Sequence, residues 1–387
     1  MKVINTQSIP IKLWLNKIDS GAMAQARNLA DFPFAFHHVA IMPDAHKGYG
    51  MPIGGVLATR DVVIPNAVGV DIGCGMVAVQ TTVRNLQKAV VKQILDKLRQ
   101  VVPVGFNHHK EAQAVHQMPW ISQKLDIVQQ EFENARKQLG TLGGGNHFIE
   151  IQKGDDGYIW LMVHSGSRNL GYKTAKYYNT LAKKKKKEYK NQIPAAWQLD
   201  YFPLHSQEAE NYLAEMNYCI DFALANRRLM MERFMDIFAE FCEAPRVDFS
   251  TPINIAHNYA AREHHFGKKV VVHRKGATSA KKGEMGIIPG SQGDFSYIVE
   301  GKGNPESFKS CSHGAGRKMG RKAARRRLNY SDEVYKLKIR GIVHSLHHKK
   351  DLDEASGAYK DIDTVMKNQQ NLVKIKVKLT PLGVIKG

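Results

Sequence analysis

The stretch VGVDIGCGM, Val68 to Met76, sets one carboxylate, Asp71, and one thiol, Cys74, three residues apart among glycines. A free cysteine is usually a small buried hydrophobe, but a carboxylate on the same turn makes the two a pair of metal donors. Three imidazoles extend the set. LGGGNHFIE places Asn146, His147 and Glu150 after a glycine-rich turn, LMVHSGSR ends an apolar run on His164, and INIAHNY ends another on His257. A thiolate can bridge two cations, so this mixed set would serve a pair of ions. Zinc fits the sulfur and nitrogen donors, while manganese suits the carboxylate and open positions equally well.

A further histidine stands apart. CSHGAGR, Cys311 to Arg317, presents His313 before Gly314, Ala315 and Gly316, with Arg317 close behind. The glycines let backbone amides approach a phosphate and the arginine balances its charge. An imidazole nucleophile acting on phosphate is the chemistry such a segment would support.

These residues need elements to hold them. Short apolar runs bounded by glycine and proline, HHVAIMPDAH, GGVLATRDVVIP and NAVGVDIG, read as strands and turns, and so do NHFIEIQ, YIWLMVHSG, INIAHNY, KVVVHRKGA, GIIPGS and SYIVEG. NLQKAVVKQILDKLRQVV and ISQKLDIVQQEFENARKQL carry apolar residues at helical spacing, and a long helical stretch runs from about Gln207 to Phe241. GFNHHKEAQAVHQMP between the first two is a polar loop, and LVKIKVKLTPLGVIKG closes the chain as an alternating strand. Strands scattered along the chain and separated by helices predict a mixed α+β fold: a single large domain over residues 1–387, with a central β core and helical insertions.

Composition narrows the partners. The 387 residues carry 56 Lys and Arg against 36 Asp and Glu, a net charge of +20, which points to a polyanion such as nucleic acid. The excess gathers in AKKKKKEYK and GRKMGRKAARRR; the first also fits a merely solvated helix face, while the second has helical spacing that could track phosphates. No apolar run is long enough to span a bilayer, the first residues lack the pattern of a signal peptide, and the four cysteines show no C-x-x-C spacing. A cytoplasmic protein with reduced thiols and no membrane contact is therefore expected.

In order along the chain, MPDAHKGYG, VGVDIGCGM, GGGNHFIE, HSGSR, HNY, RKGATSA, GIIPGS, SCSHGAGR, AYKDID and VIKG together resemble the RtcB family of GTP-dependent RNA ligases. The blocks run from about residue 40 to the last residue. The resemblance implies that Asp71, Cys74 and His147 bind one manganese ion and that Cys74, His164 and His257 bind a second, with Cys74 as the bridge. It implies that His313 accepts guanylate from GTP. It implies nucleotide contacts at Asn146, His147, Phe148, Ile149, Glu150, His257, Asn258, Pro289, Gly290, Ser291, Gln292, Ser296, His313, Gly314, Ala315, Gly316 and Lys386, with Tyr359 near the guanine.

The activity so implied joins an RNA 3′-phosphate or 2′,3′-cyclic phosphate to a 5′-hydroxyl, by way of GMP-histidine and an RNA 3′-guanylate. Cleaved tRNA or ribosomal RNA would be the substrate, for a monomer working with or without an activating or release-factor-like protein. The chain departs from the family in PGSQ, where a methionine is expected last, in HSGSRNLG, where a glycine usually follows the arginine, and in a compact middle region. None of these touches an expected metal ligand. Two rival readings are a dinuclear metal phosphodiesterase that only opens cyclic phosphates and a non-catalytic RNA-binding protein. A lysine-nucleophile ligase is disfavoured, because KGDDG at Lys153 misses the K-x-D-G spacing by one residue and reads as a hairpin turn.

Overall fold

A computed structural model describes residues 1–242 and 247–387. Two β-sheets carry the fold, and its class is the expected α+β. The first has six strands in the order Lys2–Ile4, Ile11–Leu13, Ala35–His46, Ile53–Thr59, Lys268–Lys275, Asn258–His265. The second has seven, in the order Ile253–Ala256, Gly75–Gln80, Ile159–Ser165, Phe148–Gly154, Val373–Lys386, Ser296–Gly301, Met285–Ile288. Neighbouring strands pair antiparallel, except that Ile11–Leu13 runs parallel to Ala35–His46. The second sheet curls until its edge strands share one apolar cluster, with Ile253 and Ile255 beside Met285 and Ile287.

Period-2 alternation explains why these strands read as unbroken apolar runs. In Gly75–Gln80, Met76 and Ala78 enter the cluster inside the curl, whereas Val77 and Val79 enter the cluster under the helices. Both faces are covered, so both must be apolar. The outer cover is the helix Lys88–Val101, through Ile94 and Leu98, and the 35-residue helix Gln207–Phe241, through Met230, Phe234 and Phe238. Each buried aromatic of this kind contributes roughly 1.5–3 kcal/mol relative to exposure.

The helices expected at Gln207 to Phe241 and within NLQKAVVKQILDKLRQVV are present. The third begins only at Asp126, so residues 121–125 of ISQKLDIVQQEFENARKQL lie outside it. The turn read in NAVGVDIG is present, but no strand leads into it: residues 68–74 form turns after the short 3-10 helix Pro65–Ala67, and the strand starts at Gly75. Gly69 and Gly73 adopt positive φ there, which breaks extended pairing. Asp71 therefore enters the strand from a turn rather than leaving one. GRKMGRKAARRR yields only the short helix Arg321–Arg327, in which Arg321 and Arg325 pair inward with Glu354 and Asp353. Among the described residues no helix is long and apolar enough to cross a membrane.

Candidate active site

The metal donors arrive from four places on the two sheets. Asp71 and Cys74 sit on the turn before the strand Gly75–Gln80, His147 just before Phe148–Gly154, and His164 within Ile159–Ser165. His257 is the single residue between Ile253–Ala256 of the second sheet and Asn258–His265 of the first. They meet in two groups, Asp71, Cys74 and His147, and Cys74, His164 and His257, each with ligand atoms within 4.8 Å of one another. Cys74 Sγ belongs to both, 3.4 Å from His147 Nε2 and 3.3 Å from His164 Nε2, while His147 Nε2 lies 3.1 Å from Asp71 Oδ2.

The tautomers follow from the partners. His147 Nδ1 lies 2.9 Å from the Leu142 carbonyl and His164 Nδ1 lies 3.2 Å from the Asn146 carbonyl. A carbonyl only accepts, so each Nδ1 carries the proton and each Nε2 turns its lone pair to Cys74. Burial, then neighbouring imidazoles, hold His164 and His257 well below the ordinary histidine value, leaving them neutral as a metal ligand must be. Burial pushes the Cys74 thiol up and the Asp71 charge adds to it. A cation between these groups reverses that balance and takes the thiolate. His257 Nδ1 is buried without a hydrogen-bond partner among the described residues. An orphaned lone pair beside a thiol, a carboxylate and two oriented imidazoles is what a cation site requires.

Nothing in the sequence singled out the residue that holds the site together from behind. Arg227, fully buried on the long helix, donates through Nη1 to the carbonyls of Gly73 (2.9 Å) and Ser165 (2.8 Å), and through Nε to Asn254 Oδ1 (2.8 Å). One guanidinium thus ties the turn of Asp71 and Cys74, the strand of His164 and the strand that delivers His257. Asn258 Nδ2 donates to the Asp71 carbonyl at 3.0 Å and its Oδ1 accepts from the Gly276 amide at 2.7 Å. Gly166 is required by space, since a Cβ there would come within 2.2 Å of Asp71 Oδ1.

His313 approaches from the other side, its ring 4.8 Å from that of His257. Its Nδ1 donates to Asp44 Oδ2 at 2.6 Å, and the same oxygen accepts from the His313 backbone amide at 3.1 Å. Asp44 is fully buried; burial alone would raise its carboxyl, but the charge and hydrogen bond of His313 outweigh that and hold it below the ordinary value. A carboxylate only accepts, so Nδ1 carries a proton, and in the neutral ring the lone pair is on Nε2. The sequence reading gives Asp44 of MPDAHKGYG no role, although a carboxylate inside the apolar run HHVAIMPDAH is itself a signal. Gly316, at φ +72°, lets the chain pass: a Cβ there would lie 2.0 Å from the Asp44 carbonyl oxygen.

A polar wall adjoins His313. The Ala315 amide donates to the Pro289 carbonyl at 3.0 Å, which sets Gly314–Gly316 against Pro289–Gln292. Gly290 donates to Ser296 Oγ, which also accepts from Gln152, and Gln152 donates to Glu150 at 2.7 Å. Burial lifts the Glu150 carboxyl to about 8, against the pull of Lys386 and Gln152. Burial lowers Lys386, whose Nζ lies 3.4 Å from the Asn146 carbonyl and 5.2 Å above the Phe148 ring. Glu354, unmarked by the sequence reading, gathers Arg317, Arg321, Lys386 and the Tyr359 hydroxyl. Glu150 Oε1, Gln152 Oε1, Gln292 Oε1, Asp44 Oδ1 and Ser312 Oγ are all buried without partners among the described residues. Each such atom calls for a polar partner.

Two of the expected nucleotide contacts turn away. Ile149 lies on the opposite face of its strand from Phe148 and Glu150, in the apolar cluster with Leu161 and Ile385. The Ala315 side chain is likewise packed in a core cluster, with Tyr297 and Cys311. Ser291 turns its hydroxyl to Asp294 and Ser356, and Gln292 Nε2 donates to the Glu354 carbonyl.

Comparisons with known proteins converge on one family. The family model described as tRNA-splicing ligase RtcB matches residues 25–128 and 117–387. RNA-splicing ligase RtcB1 of Escherichia coli is 38% identical, over the whole of this chain and 99% of that protein. The tRNA-splicing ligases RtcB of Nanoarchaeum equitans and Thermococcus kodakarensis are 33% and 31% identical, each match covering 94% of this chain and 91% of the relative.

Proposed function

The chain belongs to the RtcB family, and on that premise we propose that it is an RNA ligase joining 3′-phosphate or 2′,3′-cyclic phosphate ends to 5′-hydroxyl ends, using GTP and two manganese ions. The observation that carries the reading is the pairing of His313 with buried Asp44 at 2.6 Å, beside the His257 ring of the metal-donor set. Asp71, Cys74 and His147 would hold one ion and Cys74, His164 and His257 the other. When bound, the ions supply positive charge to phosphoryl oxygens.

His313 Nε2 would form a bond to the α-phosphorus of GTP while the bond to pyrophosphate breaks, and Asp44 stabilises the imidazolium that results. A cyclic end would first be opened by water to a 3′-phosphate; the RNA 3′-phosphate then takes GMP from His313, and the 5′-hydroxyl, giving up its proton, displaces GMP to close the phosphodiester. Holding both ends against one imidazole replaces an encounter in solution by an intramolecular step. Glu150, Ser296, Tyr359 and Lys386 would line the nucleotide, together with the loops Pro289–Gln292 and Gly314–Gly316. We place the enzyme in the cytosol, a setting supported by four cysteines that are all free.

The test is covalent labelling. Wild type incubated with α-labelled GTP and manganese should carry label through denaturing electrophoresis, on the peptide containing His313 and in acid-labile form. His313→Ala should lose both label and RNA joining while keeping its metal content. Label on a lysine, or joining that persists in the alanine variant, overturns the proposal; opening of cyclic phosphates without any label would favour the phosphodiesterase.

A further inference from the structure

The helix Arg168–Lys184 begins at the site and ends far from it. Arg168 donates to Thr141 Oγ1 at 3.0 Å and to the Gly105 carbonyl at 2.9 Å, and Gly105 in turn donates to Gly143 in the glycine turn before His147. Its inner face is core: Leu170, Ala175, Tyr178 and Ala182 pack with the long helix. Its outer face is of another kind. Tyr172 and Tyr177 stand 46% and 48% exposed, next to exposed Lys173 and Lys176, and further along come exposed Lys183, Lys184 and Lys187. Phe106, adjoining the Gly105 that Arg168 holds, is 99% exposed.

A solvated helix face accounts for exposed lysines but not for the exposed tyrosines among them. Lys173 pairs with Glu131 and Lys185 with Glu188 and Glu208. Lys176, Lys183, Lys184 and Lys187 have no acidic partner among the described residues, and the last three line an open cleft of about 620 Å³. Lysines crowded in this way repel one another unless a polyanion lies between them. Aromatic faces alternating with free ammonium groups are the chemistry that holds an unpaired nucleic-acid strand, bases stacking on rings and phosphates meeting cations. Seventeen residues at about 1.5 Å each span roughly 25 Å, a length that several nucleotides of an extended strand would cover.

We propose that this outer face is a docking track for a single RNA strand leaving the joining site, with Phe106 at its inner end and the lysine cleft at its outer end. The proposal rests on the ligase reading for its direction, but its affinity test does not. Binding of a labelled 16-nucleotide single strand is measured without GTP across a salt series. Lys183→Gln with Lys184→Gln and Lys187→Gln should lower the salt slope by about two, near 0.7 for each phosphate no longer neutralised. Tyr172→Ala with Tyr177→Ala should weaken binding at least about fivefold at constant slope.

Joining supplies the second readout. KM for a 16-nucleotide partner should rise in both variants, KM for a 4-nucleotide partner should stay level, and GMP labelling of His313 should stay intact as evidence of folding. An unchanged slope and affinity overturn the track. So do equal KM changes at both lengths, or a loss confined to duplex RNA. If wild type takes no GMP while the variants still lose single-strand affinity, the ligase reading fails and the track stands.

Discussion

The difference between His313 and the other imidazoles of the site is its partner. His147 and His164 donate to carbonyls, which fix a tautomer but do not compensate positive charge; His313 donates to a buried carboxylate, which does both. Asp44→Asn keeps the shape and removes that charge, and its amide would donate to Nδ1 and move the ring proton onto Nε2. We expect guanylylation to fall by roughly 10²–10⁴-fold with metal content unchanged, and its pH profile to move, as for other imidazoles that lose a carboxylate. A rate within threefold of wild type would exclude this role. The candidate donor set, Asp71, Cys74, His147, His164 and His257, was legible in sequence, because imidazoles at the ends of apolar runs and a thiol beside a carboxylate stand out from their surroundings. Asp44 was visible but unread, and Arg227 was not visible: on a helix 35 residues long, its burial depends on contacts with segments more than fifty residues away.

The hairpin formed by Asn258–His265 and Lys268–Lys275 follows directly from His257. Its interior is tied by Arg274, fully buried, which forks onto Glu263 at 2.5 and 3.1 Å and also reaches Ser310 Oγ and the Phe308 carbonyl. Burial works against the Glu263 carboxylate, but His265 and Arg274 overcome it and bring its value from 4.5 down to about 2. A carboxyl lowered on folding adds stability that is complete above 4.5 and is lost as pH falls through about 2. The difference of about 2.5 units is worth roughly 3 kcal/mol. Glu263→Gln should therefore be less stable than wild type at pH 7 in urea unfolding, and the gap should close between pH 4.5 and 2. A gap of constant size would show that the fork is not the source. At this scale strong alternation made the closing strand legible in the sequence, and at residues 68–74 the glycine turn was legible but the absence of a strand before it was not, because left-handed Gly69 and Gly73 prevent extended pairing.

Across the whole molecule, the site lies on the seam between the two sheets. The metal donors come from the second sheet and its turns, His257 joins the two, and Asp44 comes from the first. The Arg227 guanidinium and the long helix close the seam from outside. We therefore propose that residues 1–387 fold as one domain, and expect metal release and loss of secondary structure to coincide in a denaturant titration. Metal lost at a lower denaturant concentration, with a second transition following, would mean two units. The net charge of +20 was legible as a demand for a polyanion, but which lysines and arginines were free was not. Arg321 and Arg325 are held by Glu354 and Asp353, pairings that charge counting cannot foresee.

The passage from one sheet to the other at His257 is made without a loop. Ala256 ends one strand, Asn258 begins the next, and the residue between is the proposed ligand. Elsewhere the chain has room for changes of length, since added residues in a surface connection cost little in closure entropy. The largely exposed stretch 114–117 is a place of that kind. At 256–258 a single added or lost residue would reverse which side of the strand each following side chain faces, because strand periodicity is two. A change of length between Ala256 and Asn258 would therefore move the proposed ligand relative to both sheets at once.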